Sequence, residues 1–185
     1  MGLRDFFSKK NEERAPDPLS DLTLEKLGVG YFVDYDMKTW CVEACNHYDW
    51  GDGDTTYEWQ LVSHDDTLYL ERQPDDEDHW SVSWKIPIGT LGVDINAHVQ
   101  QHDDPPDEIQ VEGTAYHLDE TGGGQFYKGG SQPGKDVLTW DYVDDSGESF
   151  LSIEQWGETE FEASIGKEAE VYQFDNILPA GEEDP

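Results

Sequence analysis

The chain has 185 residues, 43 of them acidic and 11 basic, for a formal net charge of −32. So negative a body repels phosphate backbones, and with no basic patch it excludes nucleic-acid binding. No run approaches the roughly 20 apolar residues of a spanning helix, and the N-terminus lacks the apolar stretch of a secretory signal.

Residues 1–18 read as an amphipathic or flexible N-terminal segment. Leu3, Phe6 and Phe7 stand at helical spacing beside Arg4, Lys9 and Lys10, and Ala15-Pro16-Asp17-Pro18 ends the run. Thr23 to Leu27 predicts one helical turn closed by Gly28. From Gly30 the period becomes two. Tyr31–Asp36 and Thr39–Ala44 flank a tight Asp36-Met37-Lys38 turn, as a hairpin does. A second turn is predicted at Trp50-Gly51-Asp52-Gly53-Asp54. Tyr57–Val62 and Leu68–Arg72 alternate about a His64-Asp65-Asp66 turn, and Trp80–Trp84 makes a further strand. Residues 91–101 predict a helix, stopped by Pro105-Pro106.

The second half then repeats the order of the first. Trp59-Gln60-Leu61-Val62 with Leu68-Tyr69-Leu70-Glu71 finds its counterpart in Trp140-Asp141-Tyr142-Val143 with Leu151-Ser152-Ile153-Glu154. Trp80-Ser81-Val82-Ser83-Trp84 likewise matches Phe161-Glu162-Ala163-Ser164-Ile165, and the first hairpin matches Ile109 to Tyr116. The predicted fold is all-β and mainly antiparallel: two pseudo-repeated small barrel- or sandwich-like units packed together, with one short connecting helix. The first unit spans 19–88, a helical and proline-containing connector 89–107, the second unit 108–180 and an acidic tail 181–185.

Residues 1–14 hold four basic and three acidic residues, so the remaining 171 carry seven basic against 40 acidic. The excess is spread over the whole body, as in proteins of a salt-adapted, halophilic cytosol where salt screens self-repulsion. Most of the acid therefore reads as solvated surface, and the expected location is cytoplasmic. Cys41 and Cys45 on one strand lie about 13 Å apart, beyond the ~7 Å reach of a disulfide, and are expected to face one side as small hydrophobes.

Several motifs approach known chemistry and stop short. Gly129 to Lys135 nearly spells a phosphate-binding loop, but Asp136 stands where Ser or Thr belongs and a strand follows. That stretch, with Gly122-Gly123-Gly124, reads as a flexible hairpin loop. Asp49, Asp52 and Asp54 offer oxygens to a hard cation without the spacing of a calcium loop. His98 and His102 at i, i+4 are weak metal candidates, since the metalloprotease glutamate is missing between them. Neither cysteine has an activating neighbour. Trp50 and Trp156 are the tryptophans expected to be ligand walls, with Asp49, Asp52, Asp54 or Glu158 as the acidic rim of a cation site. The basic and aromatic residues of the N-terminal segment suit anionic headgroups or a partner.

The chain resembles an uncharacterised prokaryotic family, domain of unknown function 4178. The likeness lies in Val29-Gly30-Tyr31-Phe32-Val33-Asp34-Tyr35, Lys38-Thr39-Trp40, Tyr57-Glu58-Trp59, Leu151 to Glu158 with Glu160-Phe161-Glu162, and Phe174-Asp175-Asn176-Ile177-Leu178-Pro179. The family has no established catalytic residues to carry over. Its members are companions of membrane-stress genes, near relatives of phage-shock protein A and of aminopropyltransferases, so the resemblance implies a context and no mechanism.

The leading expectation is a non-enzymatic adaptor without cofactor, its body binding a protein partner such as a phage-shock-protein-A-like protein. Residues 1–14 would make a weak peripheral contact with the inner face of the membrane. The alternative is a β domain that binds a polyamine or Ca²⁺. An enzyme comes third, because it requires several carboxylates or histidines to converge in one deep pocket.

Overall fold

A computed structural model describes residues 22–181. Leu3, Arg4, Phe6, Phe7, Lys9 and Lys10 lie outside the described residues. A 3-10 turn at Leu24–Lys26 leads into β1 (Phe32–Tyr35), β2 (Lys38–Gly51), β3 (Asp54–Ser63), β4 (Asp66–Gln73) and β5 (His79–Ile86). A 3-10 turn (Ile88–Leu91) and α1 (Ile95–His102) follow. Then come β6 (Glu108–Val111), β7 (Thr114–Tyr127), β8 (Lys135–Asp144), β9 (Ser149–Gly157), β10 (Glu160–Ala169) and β11 (Phe174–Leu178).

Local chemistry sets the breaks between these elements. Asp36 (φ 47°) and Met37 (φ 61°) form a two-residue hairpin turn in the left-handed region, as do Asp52 and Gly53, and Glu112 and Gly113. The helix starts later than its apolar pattern predicts. Leu91 belongs to the preceding 3-10 turn, and the cap falls on Asp94, whose carboxylate accepts from Ala97 N at 3.0 Å.

The strands form one antiparallel sheet in the order β11-β1-β2-β3-β4-β5-β10-β9-β8-β7-β6. A further pairing of His47, Tyr48 and Asp49 with Tyr127, Phe126 and Gln125 joins β2 to β7 and closes eight strands into a barrel. The all-β, antiparallel expectation holds, with a single α-helix. The expectation of a separate small barrel or sandwich in each half does not, because strands of both halves contribute to one closed wall. β5 meets β10 along seven residue pairs, from Ile86 opposite Ala163 to Trp80 opposite Ala169.

Closure explains the glycine run. Gly122-Gly123-Gly124, expected in a flexible loop, lies inside β7. A Cβ on Gly124 would stand 2.5 Å from Asp49 O and 2.7 Å from the Trp50 ring, so only glycine lets the two strands meet there. The cysteines are free, but the expected common face is wrong. A bulge between Val42 and Ala44 shifts the register, leaving Cys41 opposite Val62 and Cys45 opposite Trp59, which belong to opposite faces of β3.

The barrel is apolar on its outside. Trp59, Leu61, Leu68, Leu70, Trp80 and Val82 form one buried cluster, covered by Leu24, Leu27, Val33, Tyr35 and Phe174 from the N-terminal turn, β1 and β11. Trp140, Tyr142, Leu151 and Ile153 form a second cluster under Leu91, Ile95, Ile109 and Val111. Two tryptophan N–H groups anchor the covers: Trp59 Nε1 donates to Leu27 O at 2.9 Å, and Trp140 Nε1 to Asp104 Oδ1 at 3.0 Å. With the apolar residues of each strand facing these covers, the alternate residues turn into the barrel.

Candidate functional site

Those alternate residues are polar. Glu58 on β3, Glu71 on β4, Asp141 on β8 and Glu154 on β9 project into the lumen, with Ser83, Ser152 and Ser164 between them. Glu58 stands opposite Glu71 across the β3–β4 ladder, and Asp141 opposite Ser152 across β8–β9. They line an inner cavity of about 60 Å³, room for a few waters. An adjoining space of about 500 Å³ shares Tyr48, Glu58, Tyr69 and Lys85 with it and opens past Phe126, Lys128, Lys135 and Trp156. That is the size of a small-molecule site. Phe150 fills part of the inner cavity by lying over Gly166, where a Cβ would meet its ring at 2.2 Å.

Hydrogen bonds tie the acids together. Tyr48 Oη donates to Glu154 Oε1 at 2.8 Å and stands 3.4 Å from Glu58 Oε2. One hydroxyl carries one proton, so it serves Glu154 fully and Glu58 only weakly. Asn46 Nδ2 donates to Glu58 Oε1 at 2.7 Å, while Asn46 Oδ1 accepts from Gly129 N at 3.0 Å. Asn46 thus couples the Lys128–Gly130 loop at the mouth to the lumen. Lys85 is ion-paired with Glu162. Among the described residues no group donates a hydrogen bond to Glu71.

Burial raises all four acids, because a charged carboxylate loses its hydration in the lumen. Glu154 reaches about 7, with Tyr48 and Lys85 offsetting part of the effect. Glu71 lies well above the usual range through burial first, then the nearby Glu58, Glu154 and Asp141. Glu58 is raised by burial against the Asn46 bond, and Asp141 by burial against a Ser152 bond. The Tyr48 phenol is pushed far up by burial and by Glu58 and Glu154. Lys85 is also raised. Burial opposes its charge, but the Glu162 bond and the charges of Glu162 and Glu154 outweigh it. The lumen therefore favours the protonated form of these carboxyls more than water does.

Most residues singled out in the sequence lie elsewhere. Asp49, Asp52 and Asp54 are exposed at the β2–β3 turn, with Asp49 accepting from Gly51 N at 2.9 Å. Glu158 is exposed in the β9–β10 turn. Trp50 stacks on Tyr48 at 5.2 Å and donates to Thr56 Oγ1 at 2.9 Å, so it packs the barrel seam. His98 and His102 lie side by side on α1 with ring centroids 4.5 Å apart and planes tilted by 40°, and His98 Nδ1 lies 2.8 Å from Asp104 O. Among the described residues no group of three or more His, Cys, Asp or Glu is placed to hold a metal ion. Trp156 alone of the expected walls lines the lumen mouth, with Lys135 Nζ 5.2 Å from its ring and a buried Nε1 that has no acceptor among the described residues. The lumen acids went unseen because alternation does not show which face is enclosed. Their one trace is that Glu71 and Glu154 end matching segments.

Among the described residues no helix is long and apolar enough to cross a membrane. No solved structure matches the chain. An uncharacterized protein of Aquifex aeolicus (strain VF5) is 28% identical over 178 residues, covering 96% of each chain. The family model described as Domain of unknown function (DUF4178) matches residues 28–171, the stretch that contains every lumen acid, and the chain belongs to that family.

Proposed function

We propose that this is a non-catalytic binding protein whose barrel lumen receives the ammonium end of a small organic amine. The observation that carries the reading is the gathering of four acids around one polar cavity, Glu58 buried and Glu71, Asp141 and Glu154 half-buried, with no hydrogen-bond donor to Glu71 among the described residues. Uncompensated carboxylates cost several kcal/mol each to bury, so they stay protonated or take a cation. An alkylammonium supplies three donors and a charge without the close convergence of ligands that a metal ion demands. Amine entry then expels protons. The test is titration of hexylamine into the full chain in about 1 M KCl, where a Debye length of roughly 3 Å removes diffuse attraction to the acidic body. Saturable binding that weakens on Glu71→Gln and Glu154→Gln, with proton release, supports the reading; no saturable binding removes it.

The same reading extends to the architecture, in which the two halves are copies of one ancestral unit. Its support is positional. β2 and β7 are both 14 residues long and β3 and β8 both 10, and Trp59 and Trp140 anchor their respective covers. Glu71 and Glu154 come from matching strands and meet in the shared lumen. Each copy would contribute an acid that neither could enclose alone.

A catalytic reading has one observation in its favour, the Glu58–Tyr48–Glu154 chain of raised acids, which resembles a general acid–base pair. Turnover of an amine during the same titration would favour it.

A further inference from the structure

The mouth of the lumen gathers lysines that the acid-lined floor lacks apart from Lys85, set among Glu160 and Glu162. Beyond residue 14 the chain has only seven basic residues, yet Lys85, Lys128 and Lys135 all line the outer space. Lys85 and Lys135 have carboxylate partners in Glu162 and Glu160. Lys128 has no ion pair among the described residues, although the body around it is crowded with acid. Close by, with Lys135 Nζ 5.2 Å from its ring centroid, Trp156 keeps a buried Nε1 that has no acceptor among the described residues, a donor left unsatisfied. A diamine would bring its second ammonium beside Lys128, while Glu160 and Glu162 are already engaged by Lys135 and Lys85.

We infer that the lumen, if it takes an ammonium as proposed above, selects a small zwitterion: a linear ω-amino acid with its ammonium among Glu58, Glu71 and Glu154 and its carboxylate at Lys128 and Lys135. The inference rests on that reading for the buried end and adds the class of the whole ligand. The register sets its length. Glu154 is opposite Thr139, and Lys135 lies four residues further along β8, about 13 Å between backbone levels. A linear chain of about six carbons is shorter than that span and leaves the lysine side chain to meet the carboxylate. The carboxylate draws Lys135 off the indole and gives Trp156 Nε1 an acceptor.

The test compares 6-aminohexanoate, 1,6-diaminohexane, hexylamine and hexanoate by calorimetry on the full chain, in about 1 M KCl. The amino acid is expected to bind about tenfold or more tighter than the diamine or hexylamine, with hexanoate not binding. Lys128→Gln with Lys135→Gln, both exposed positions, should erase the amino acid's advantage over hexylamine while hexylamine still binds saturably. Diamine binding as tight as the amino acid would overturn the zwitterion while leaving the amine site standing. Failure of every amine would overturn both. Tryptophan fluorescence gives a second readout, since the zwitterion alone should shift Trp156 emission, and Trp156→Phe should abolish the shift.

Discussion

The two faces of the barrel wall answer to opposite rules. Outside, Trp59, Leu61, Leu70 and Val82 are almost wholly enclosed by a helical turn and two short strands. Inside, the neighbouring residues Glu58, Glu71 and Ser83 surround a polar cavity. In a small soluble barrel the usual arrangement fills the interior with apolar side chains. Here the cohesive energy has moved outward, to two satellite cores, and the interior is free to be polar. The fold thus keeps its stability and its binding capacity on opposite sides of the same strands.

That separation is broken or confirmed by substitutions on adjacent residues of one strand. Leu70→Ala, fully buried in the first outer cluster, should destabilise by about 2–5 kcal/mol through lost burial and a residual cavity. The loss should be the same at low and neutral pH. Glu71→Gln, one residue along and on the other face, should leave the protein as stable or more so near neutrality, because it removes an acid that burial disfavours when charged. Denaturant unfolding of both variants checks the contrast, and a Glu71→Gln loss as large as that of Leu70→Ala would show the lumen to be structural core.

The pH dependence of stability is the next effect in size. Glu154 rises from an ordinary 4.5 to about 7 on folding, so between those values the folded chain holds a proton that the unfolded chain has released. Stability contributed by this group is therefore complete below about 4.5 and is lost as pH rises through 7, by roughly 3 kcal/mol. Glu71, Glu58 and Asp141 act in the same direction. Unfolding free energy should fall between about pH 5 and 8, opposite to the slope from carboxylates held charged by partners. Glu154→Gln should flatten the curve, and a bound amine should flatten it too by replacing the proton.

Much of the outer face was legible in the sequence. The alternation of Trp59, Leu61 and Leu70 placed the strands, and the Asp36-Met37 and Asp52-Gly53 turns fell where expected. Two readings failed because their signals are local while their causes are not. Gly122-Gly123-Gly124 looks like a loop until β2 approaches within a Cβ's width of Gly124. Cys41 and Cys45 share strand parity until the bulge at Val42–Ala44 reverses it. The lumen acids were hidden for a third reason. Among 43 acidic residues, four that turn inward have the same period-two pattern as those facing water, and only closure of the wall makes the difference. The matched positions of Glu71 and Glu154 were visible, but they read as a mark of duplication without a chemical role.

The smallest expected effect tests the comparison at the level of single hydrogen bonds. Trp59→Phe on the outer face removes the bond from Nε1 to Leu27 O and leaves that carbonyl only the weak Cys45 thiol donor at 3.7 Å. A loss of about 1–3 kcal/mol follows. Trp156→Phe at the lumen mouth removes an N–H that has no acceptor among the described residues and keeps an aromatic ring near Lys135. Its stability should be unchanged or higher by up to ~1 kcal/mol, since an unsatisfied donor is deleted and little apolar area is lost. Equal losses for the two variants would mean that Trp156 is held as firmly as the outer tryptophans. A neutral Trp156→Phe would mark its indole nitrogen as a group kept for something that arrives from outside the chain.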